Sequence, residues 1–120
     1  MRKTIIIDER PVEFRATAST LKRYMDLTGR DLIKDFEVID HEMKTTDAVS
    51  STDVLMMFFN FAYVMAKQAD GRIPEDPDEW LDKFDTFPID EVMPQLVDLW
   101  KQSVLGKVEL KKNPDQQSEM

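Results

Sequence analysis

The 120-residue sequence contains no cysteine and a single histidine, His41. It therefore offers no disulfide, no thiolate metal ligand and no cysteine nucleophile, a composition that fits a reducing compartment. His41 precedes Glu42 as in the zinc-protease signature, but the second histidine of that signature is missing. No nucleophile-elbow pattern supplies a serine partner for the histidine. We therefore expect His41 to face solvent on a helix rather than to serve a reaction.

The sequence also lacks a long hydrophobic segment and a surplus of basic residues. Three isoleucines near the N-terminus are followed at once by acidic residues, unlike a signal peptide. The main apolar run lies between Asp53 and Lys67 and is shorter than the about 20 residues of a membrane-spanning helix. The formal net charge is −8, and residues 37–120 hold 18 acidic against 8 basic side chains. Nucleic-acid binding is disfavoured because it needs a basic face.

What the sequence does contain is an apolar segment in its middle, residues 54–66, interrupted only by Asn60. The segment does not alternate strictly between apolar and polar residues, and it contains neither Gly nor Pro. It predicts a helix over about 51–69 that is apolar nearly all round, and such a helix belongs in the centre of a core. The predicted fold is mainly α, a five-helix bundle-like domain around this central helix with an N-terminal β-hairpin.

The β-hairpin is predicted over about 3–16. Residues 3–7 are rich in β-branched side chains, Asp8-Glu9-Arg10 forms a polar turn, and residues 12–16 alternate between apolar and charged side chains. Pro11 cannot donate a ladder hydrogen bond, so it belongs at a strand start or on a sheet edge. An isolated hairpin is marginally stable in water, and we expect this one to pack on the helices.

Capping signals divide the rest of the chain into helices. Thr17 or Ser19 is expected to cap the first helix and Gly29 to end it. Ser50 or Ser51 is expected to cap the central helix, with Asp53 in its first turn. The phrase Asp76-Pro77-Asp78-Glu79 combines a capping side chain, a proline at the first helical position and a glutamate three residues after the cap.

The last helix is expected to begin near Ile89 or Asp90 and to end at Gly106, with Pro94 kinking it unless the proline lies in the first turn. We expect one globular domain over 1–107 and a disordered tail over 108–120. Residues at helical spacing predict apolar stripes: Leu21, Tyr24 and Met25 in the first helix, Leu32, Ile33, Phe36, Ile39 and Met43 in the second, and Val92, Met93, Leu96, Val97, Trp100 and Val104 in the last.

The acidic residues form no recognisable site. Residues 70–78 are dense in carboxylates, but Gly71 comes second rather than sixth, and Arg72 and Ile73 stand where a calcium loop needs ligands. Neighbouring carboxylates such as Asp82 and Asp85 need a desolvated cleft for acid–base work. Because their neighbours are mostly charged, we expect a solvated face. No catalytic residue, metal ligand or cofactor site is predicted.

Aromatic residues in and near the segment 70–98, which holds 10 acidic and 2 basic residues, are candidates for partner binding. The alternative is that they close the domain over the central helix. The methionines of the central run could form an adaptable binding surface or belong to the core, where Met and Phe are usually buried. The candidate partner-binding residues are Trp80, Phe84, Phe87 and Trp100, and the methionines are Met56, Met57 and Met65.

Several phrases of the sequence, over residues 10–101, resemble a family of small tail assembly chaperones of long-tailed bacteriophages and prophages. The turn Asp8-Glu9-Arg10 departs from the glycine-containing turn expected in that family. The phrases are Phe14-Arg15-Ala16-Thr17-Ala18, Tyr24 with Gly29-Arg30-Asp31, Ala62-Tyr63-Val64-Met65-Ala66-Lys67-Gln68-Ala69, and Glu79-Trp80-Leu81-Asp82-Lys83-Phe84-Asp85.

The resemblance implies a non-enzymatic protein of the bacterial host cytoplasm that is absent from the mature virion. Such chaperones bind the tape measure protein, keep it soluble and help tail tube protein subunits polymerise around it. The implied partners are therefore the tape measure protein and the tail tube protein. Self-association of the chain is left open by the residues. Some members are also made in a frameshifted long form, for which an A-rich codon run at Lys111-Lys112-Asn113 would be suited.

Two other functions remain open from the residues alone. An acidic protein could imitate nucleic acid and occupy a DNA-binding protein, which would explain the charge but not the apolar and aromatic content. A small enzyme would need a nucleophile, a metal set or a phosphate loop, and the sequence supplies none of these patterns.

Overall fold

The computed structural model describes residues 1–45 and 51–105. Predictions for the link over 46–50, for Gly106 and for the tail over 108–120 therefore lie outside the described residues. The described part confirms the predicted class, a mainly helical domain with five α-helices and an N-terminal antiparallel hairpin. The elements are β1 Arg2–Ile7, β2 Arg10–Arg15, α1 Thr20–Thr28, α2 Leu32–Thr45, α3 Thr52–Ala69, α4 Pro77–Leu81 and α5 Ile89–Trp100, which continues into a π-helical turn, Lys101–Leu105.

The hairpin closes through a two-residue turn, Asp8-Glu9, and Arg10 is already the first residue of β2. Both turn residues have positive φ, 55° and 65°, because a tight hairpin turn must follow the twist of its strands. The side chain of Asp8 accepts hydrogen bonds from the backbone N–H of Asp85 at 3.0 Å and the hydroxyl of Thr86 at 3.3 Å. The turn is thereby fixed to the connection between α4 and α5.

The central helix, α3, confirms the prediction for residues 51–69. Its C-terminal half, from Phe61 to Ala66, is completely buried, and the helix packs against β2, α1, α2 and α4. The N-terminal half is less enclosed. Met56 is 49% exposed, and Met57 and Asn60 are half-buried. The methionines of the run therefore divide, since Met65 is a core residue and Met56 is a surface residue.

Local signals at the helix ends account for most of the boundaries. Gly29 ends α1 in the left-handed conformation, with φ of 72°, a geometry that costs glycine little. Ser51 caps α3 by accepting from the N–H of Val54 at 3.4 Å, and Asp76 caps α4. The N-terminus of α1 differs from the prediction. Ser19 occupies the cap position, but its side chain makes no capping hydrogen bond.

The apolar stripes predicted for α1 and α2 are wrong at two positions. Met25 and Ile33 are 46% and 54% exposed, whereas the polar residues Thr20 and Asp35 are buried.

His41 is exposed on α2, as predicted. Pro94 lies in the second turn of α5 rather than the first. In α5 the predicted residues from Val92 to Trp100 are all buried, while the side chain of Val104 is outside the described part.

No helix in the described ranges is both long enough and apolar enough to span a bilayer.

Candidate partner-binding surface

Three of the four predicted partner-binding aromatics meet in one cluster beneath the hairpin. Trp80 is 2% exposed, and its ring contacts Phe84 and Phe87 edge to face, with centroids 5.3 and 6.0 Å apart. Phe14 from β2 and Tyr63 from α3 contact the same indole, at 6.4 and 5.9 Å. The cluster therefore joins the hairpin, α3 and α4. Closing the domain over the central helix was the alternative to partner binding in the sequence analysis.

The fourth aromatic, Trp100, belongs to a different cluster. It is 4% exposed and packs against Phe61 of α3 and Phe36 of α2, with ring centroids 6.0 and 6.2 Å apart. The structure does not bring the four residues together as one surface. Partner binding by them stays a prediction, and the burial of both tryptophans means that only Phe84 and Phe87, which are half-buried, present any ring surface to a partner.

A shallow hollow beside Phe84 is the opening nearest to the predicted site. It has a volume of about 220 Å³ and lies between β2, α3 and α4. The guanidinium of Arg10 covers one side, 5.0 Å from the centre of the Phe84 ring, and donates to the backbone carbonyl of Lys83. A cation over an aromatic face is attracted to the ring, so Arg10 holds this hollow partly closed.

A second candidate surface lies where α1 and its C-terminal end meet α3. We call it the α1–α3 groove. It consists of two hollows of about 310 and 230 Å³. The first is lined by Arg23, Asp26, Leu27, Tyr63, Val64, Lys67 and Glu75; the second is lined by Tyr24, Arg30, Asp53, Met56, Met57 and Asn60.

The two hollows share one face of α3. The α3 residues at 53, 56, 57, 60, 63, 64 and 67 recur at three- and four-residue spacing, so they form one continuous helical stripe. Leu27 and Met56, which are 39% and 49% exposed, place apolar side chains on this stripe and on its α1 rim. The exposed apolar surface of the groove is therefore provided by Leu27 and Met56, with Met57 half-buried beside them.

A buried polar contact fixes the α1 side of the groove to α2. The hydroxyl of Tyr24 donates to Asp35 at 2.7 Å, and Arg30 donates to both oxygens of the same carboxylate at 2.7 and 2.8 Å. The side chain of Asp35 is 5% exposed. The hydrogen bond from Arg30 holds the pKa of Asp35 below its ordinary value, although burial opposes this. Burial and the neighbouring carboxylate raise the pKa of Tyr24.

The opposite end of the groove is fixed by Lys67. Its ammonium donates to the carbonyls of Gly71 and Ile73 at 2.9 and 2.8 Å and to the carboxylate of Glu75 at 2.9 Å. The hydroxyl of Tyr63 donates to the carbonyl of Pro74 at 2.5 Å, and burial raises the pKa of Tyr63. The charges of Lys67 and Glu75 at this end are therefore paired within the chain itself.

Two carboxylates outside the groove, Asp70 and Asp76, make local structural contacts. Asp70 accepts from Arg72, and Asp76 caps α4. Within 1–45 and 51–105, no group of three or more acidic or histidine side chains is placed to hold a metal ion.

Sequence reasoning did not identify the α1–α3 groove. The signal available in advance was the set of methionines in the run, of which Met56 is exposed and Met57 half-buried. The sequence pattern did not indicate Leu27, because this residue lies outside the predicted stripe of α1. Compared with protein-family models, with curated proteins and with solved structures, the chain gives no match in any of the three. The function must therefore be argued from the residues and the groove.

Proposed function

We propose that this chain is a tail assembly chaperone of a long-tailed bacteriophage or prophage. It binds the tape measure protein, keeps that protein soluble and promotes polymerisation of the tail tube protein around it. It acts in the cytoplasm of the bacterial host, without catalysing a reaction, and is absent from the mature virion. Two things support the proposal: the sequence phrases that resemble this family, and the α1–α3 groove with its exposed Leu27 and Met56 on a small acidic helical domain.

The α1–α3 groove is the observation that carries the proposal. From Asp53 to Lys67 the stripe on α3 is about 21 Å long, at 1.5 Å per residue, which matches about four turns of a docked helix. Helix-in-groove recognition uses apolar side chains at three- and four-residue spacing on the guest. Met56 and Met57 adapt their shape to different guests, a useful property for a chaperone that meets many segments of one long chain.

The physical task fits an acidic protein. A long, apolar helical chain aggregates before the tail tube closes around it. A bound partner with a net charge of −8 covers apolar stripes and adds repulsion between complexes. Because the chaperone must leave when the tube assembles, each groove contact should be weak, and retention along a long guest should come from many copies.

The proposal is tested by expressing the tape measure protein of the same phage or prophage with and without this chain. We expect the chain to increase the soluble fraction of the tape measure protein and to co-purify with it. Equal insolubility with and without the chain would contradict the proposed function. A second assay follows tail tube protein polymerisation on the tape measure protein, which the chain should accelerate.

Matched variants locate the contact. Leu27→Glu and Met56→Glu each place a charge in the groove, whereas Ile33→Glu and Val38→Glu place one on α2 outside it. All four residues are exposed, from 39% to 54%, so each change should alter the free energy of unfolding by less than about 0.5 kcal/mol. Loss of tape measure binding with the first two variants only would support the groove. Loss only with Phe84→Ala would instead favour the hollow beneath the hairpin.

A further inference from the structure

The outer edge of β1 is open. Met1 and Ala16 exchange backbone hydrogen bonds in both directions, each 2.9 Å. In an antiparallel ladder such pairs alternate with non-hydrogen-bonded pairs, so Arg2, Thr4 and Ile6 turn their N–H and C=O groups away from β2. Within residues 1–45 and 51–105, none of these outward groups takes part in a hydrogen bond outside the hairpin. These three alternate residues therefore present an open template for another strand.

The outer edge of β2 differs. Pro11 pairs with Ile6 in the register and stands at an outward-facing position, where it has no N–H to offer. The other outward residues of β2, Glu13 and Arg15, are charged and exposed, as is usual on protected edges. On β1, by contrast, Ile6 is 62% exposed. The hairpin is protected on one edge and open on the other.

We propose that β1 pairs with β1 of a second copy of this chain, antiparallel and across a two-fold axis at Thr4. In this register Thr4 faces Thr4 of the second copy, and Arg2 faces Ile6 of the second copy. Each of the three outward residues then exchanges both backbone hydrogen bonds with its counterpart. The two hairpins become one four-stranded sheet, a more stable unit than two separate ribbons.

The pattern of β1 favours a second copy over an unrelated strand. A two-fold axis places every residue opposite a fixed counterpart, and like charges directly opposite one another destabilise a sheet. Here the charged end of the strand, Arg2-Lys3, lies opposite its apolar end, Ile5-Ile6. The stem of Arg2 covers Ile6 of the second copy, while its guanidinium stays near Glu13, 3.5 Å away in the same copy. The strand is complementary to itself.

The pairing is independent of the proposed function, because it uses the hairpin and leaves the α1–α3 groove uncovered. The test is the molar mass of the purified chain, by light scattering and sedimentation, over about 1 μM to 1 mM, the range of weak association. We expect the mass to rise to that of a dimer. A monomer across the whole range would overturn the proposal.

Proline provides a matched pair of variants. Thr4 and Glu13 are partners in the register, and both N–H groups face outward on opposite edges. Thr4→Pro removes a donor from the open edge without breaking the β1–β2 ladder, as Pro11 already does on β2. We expect Thr4→Pro to weaken dimerisation at least tenfold and Glu13→Pro to leave it unchanged. Equal dimerisation of both variants would contradict the pairing.

Two further changes keep the test decisive if proline disturbs folding. Ile6→Lys should weaken the dimer, whereas Ile33→Lys, at an exposed apolar residue of α2, should not. Because the chain has no cysteine, Thr4→Cys introduces a single thiol next to the axis. Hydrogen-bonded strand partners have Cα atoms about 5.5 Å apart, which a disulfide spans. Oxidation should cross-link Thr4→Cys and leave Glu13→Cys without a covalent cross-link; the reverse result would refute the register.

Discussion

Removing the hydroxyl of Tyr24 measures how much the buried polar contact between α1 and α2 stabilises the fold. The hydroxyl donates to Asp35 at 2.7 Å, inside a site where the tyrosine is fully buried. In Tyr24→Phe the carboxylate keeps both hydrogen bonds from Arg30, so no charge is left unpaired. A hydrogen bond to a charged group contributes about 1.5–3 kcal/mol. We expect a loss near the lower end, about 1.5 kcal/mol, in the free energy of unfolding.

Asp35→Ala should cost more, about 3 kcal/mol, because it also leaves the tyrosine hydroxyl buried without an acceptor. The double variant, with Tyr24→Phe added, should be no less stable than Asp35→Ala alone, since the hydroxyl no longer needs a partner. The two changes are therefore expected to be non-additive by about 1.5 kcal/mol. Tyr63→Phe is the control. Its hydroxyl donates to a carbonyl of the loop after α3, shares no partner with Asp35 and should combine with Asp35→Ala additively.

The assay is urea denaturation followed by far-ultraviolet circular dichroism at neutral pH, with the denaturant slope compared among all variants. A constant slope allows the free energies to be compared directly. If Tyr24→Phe and Asp35→Ala add within about 0.3 kcal/mol, the hydroxyl and the carboxylate are not energetically coupled, and our account of this contact is wrong.

Three other predictions follow from described contacts. Arg30 lowers the pKa of Asp35 in the folded protein. The stabilisation from this carboxylate is therefore complete above its ordinary pKa near 3.8 and is lost as the pH falls through its lowered, folded-state pKa. In a plot of urea midpoint against pH, Asp35→Asn should make the decrease at acid pH less steep. Glu9 has φ of 65°, so Glu9→Gly should raise the free energy of unfolding by about 0.5–1 kcal/mol. Asp8→Gly should lower the free energy of unfolding, because it removes the acceptor for the N–H of Asp85. The urea midpoints of the two variants should therefore shift in opposite directions. Trp80→Ala should cost about 3–5 kcal/mol, and a loss under 1 kcal/mol in denaturation would show that the aromatic cluster is not a core.

The parts of the fold that could be predicted are those set by local chemistry. The apolar segment of α3 contains neither glycine nor proline, and the signals at Gly29, Ser51 and Asp76 act within one helical turn, so these boundaries follow from neighbouring residues. The hairpin turn was only partly predictable. Its two residues adopt positive φ without glycine, and the carboxylate of Asp8 accepts hydrogen bonds from Asp85 and Thr86, almost eighty residues away.

The candidate surface was harder to predict, because it depends on which flank of α1 lies against α3. A stripe at helical spacing gives the buried side of a helix but not how far a neighbour covers it. Leu27 is exposed and Thr20 buried for this reason. The burial of Asp35 also could not be predicted from helical spacing. An aspartate between apolar stripe positions is stable in the core only because Tyr24 and Arg30 converge on it from α1 and its end.

The attachment of the hairpin also determines when it can be completed during synthesis. Asp8 is held by residues 85 and 86, and the carbonyl of Ala16 accepts from the hydroxyl of Ser103 at 2.9 Å. At ribosomal speeds of about 5–20 residues per second, those partners emerge several seconds after the strands. Until then the apolar face that holds Ile7 and Phe14 has no finished surface beneath it. The hairpin, although it is made before the helices that it packs on, is therefore among the last of the described elements to reach its native environment.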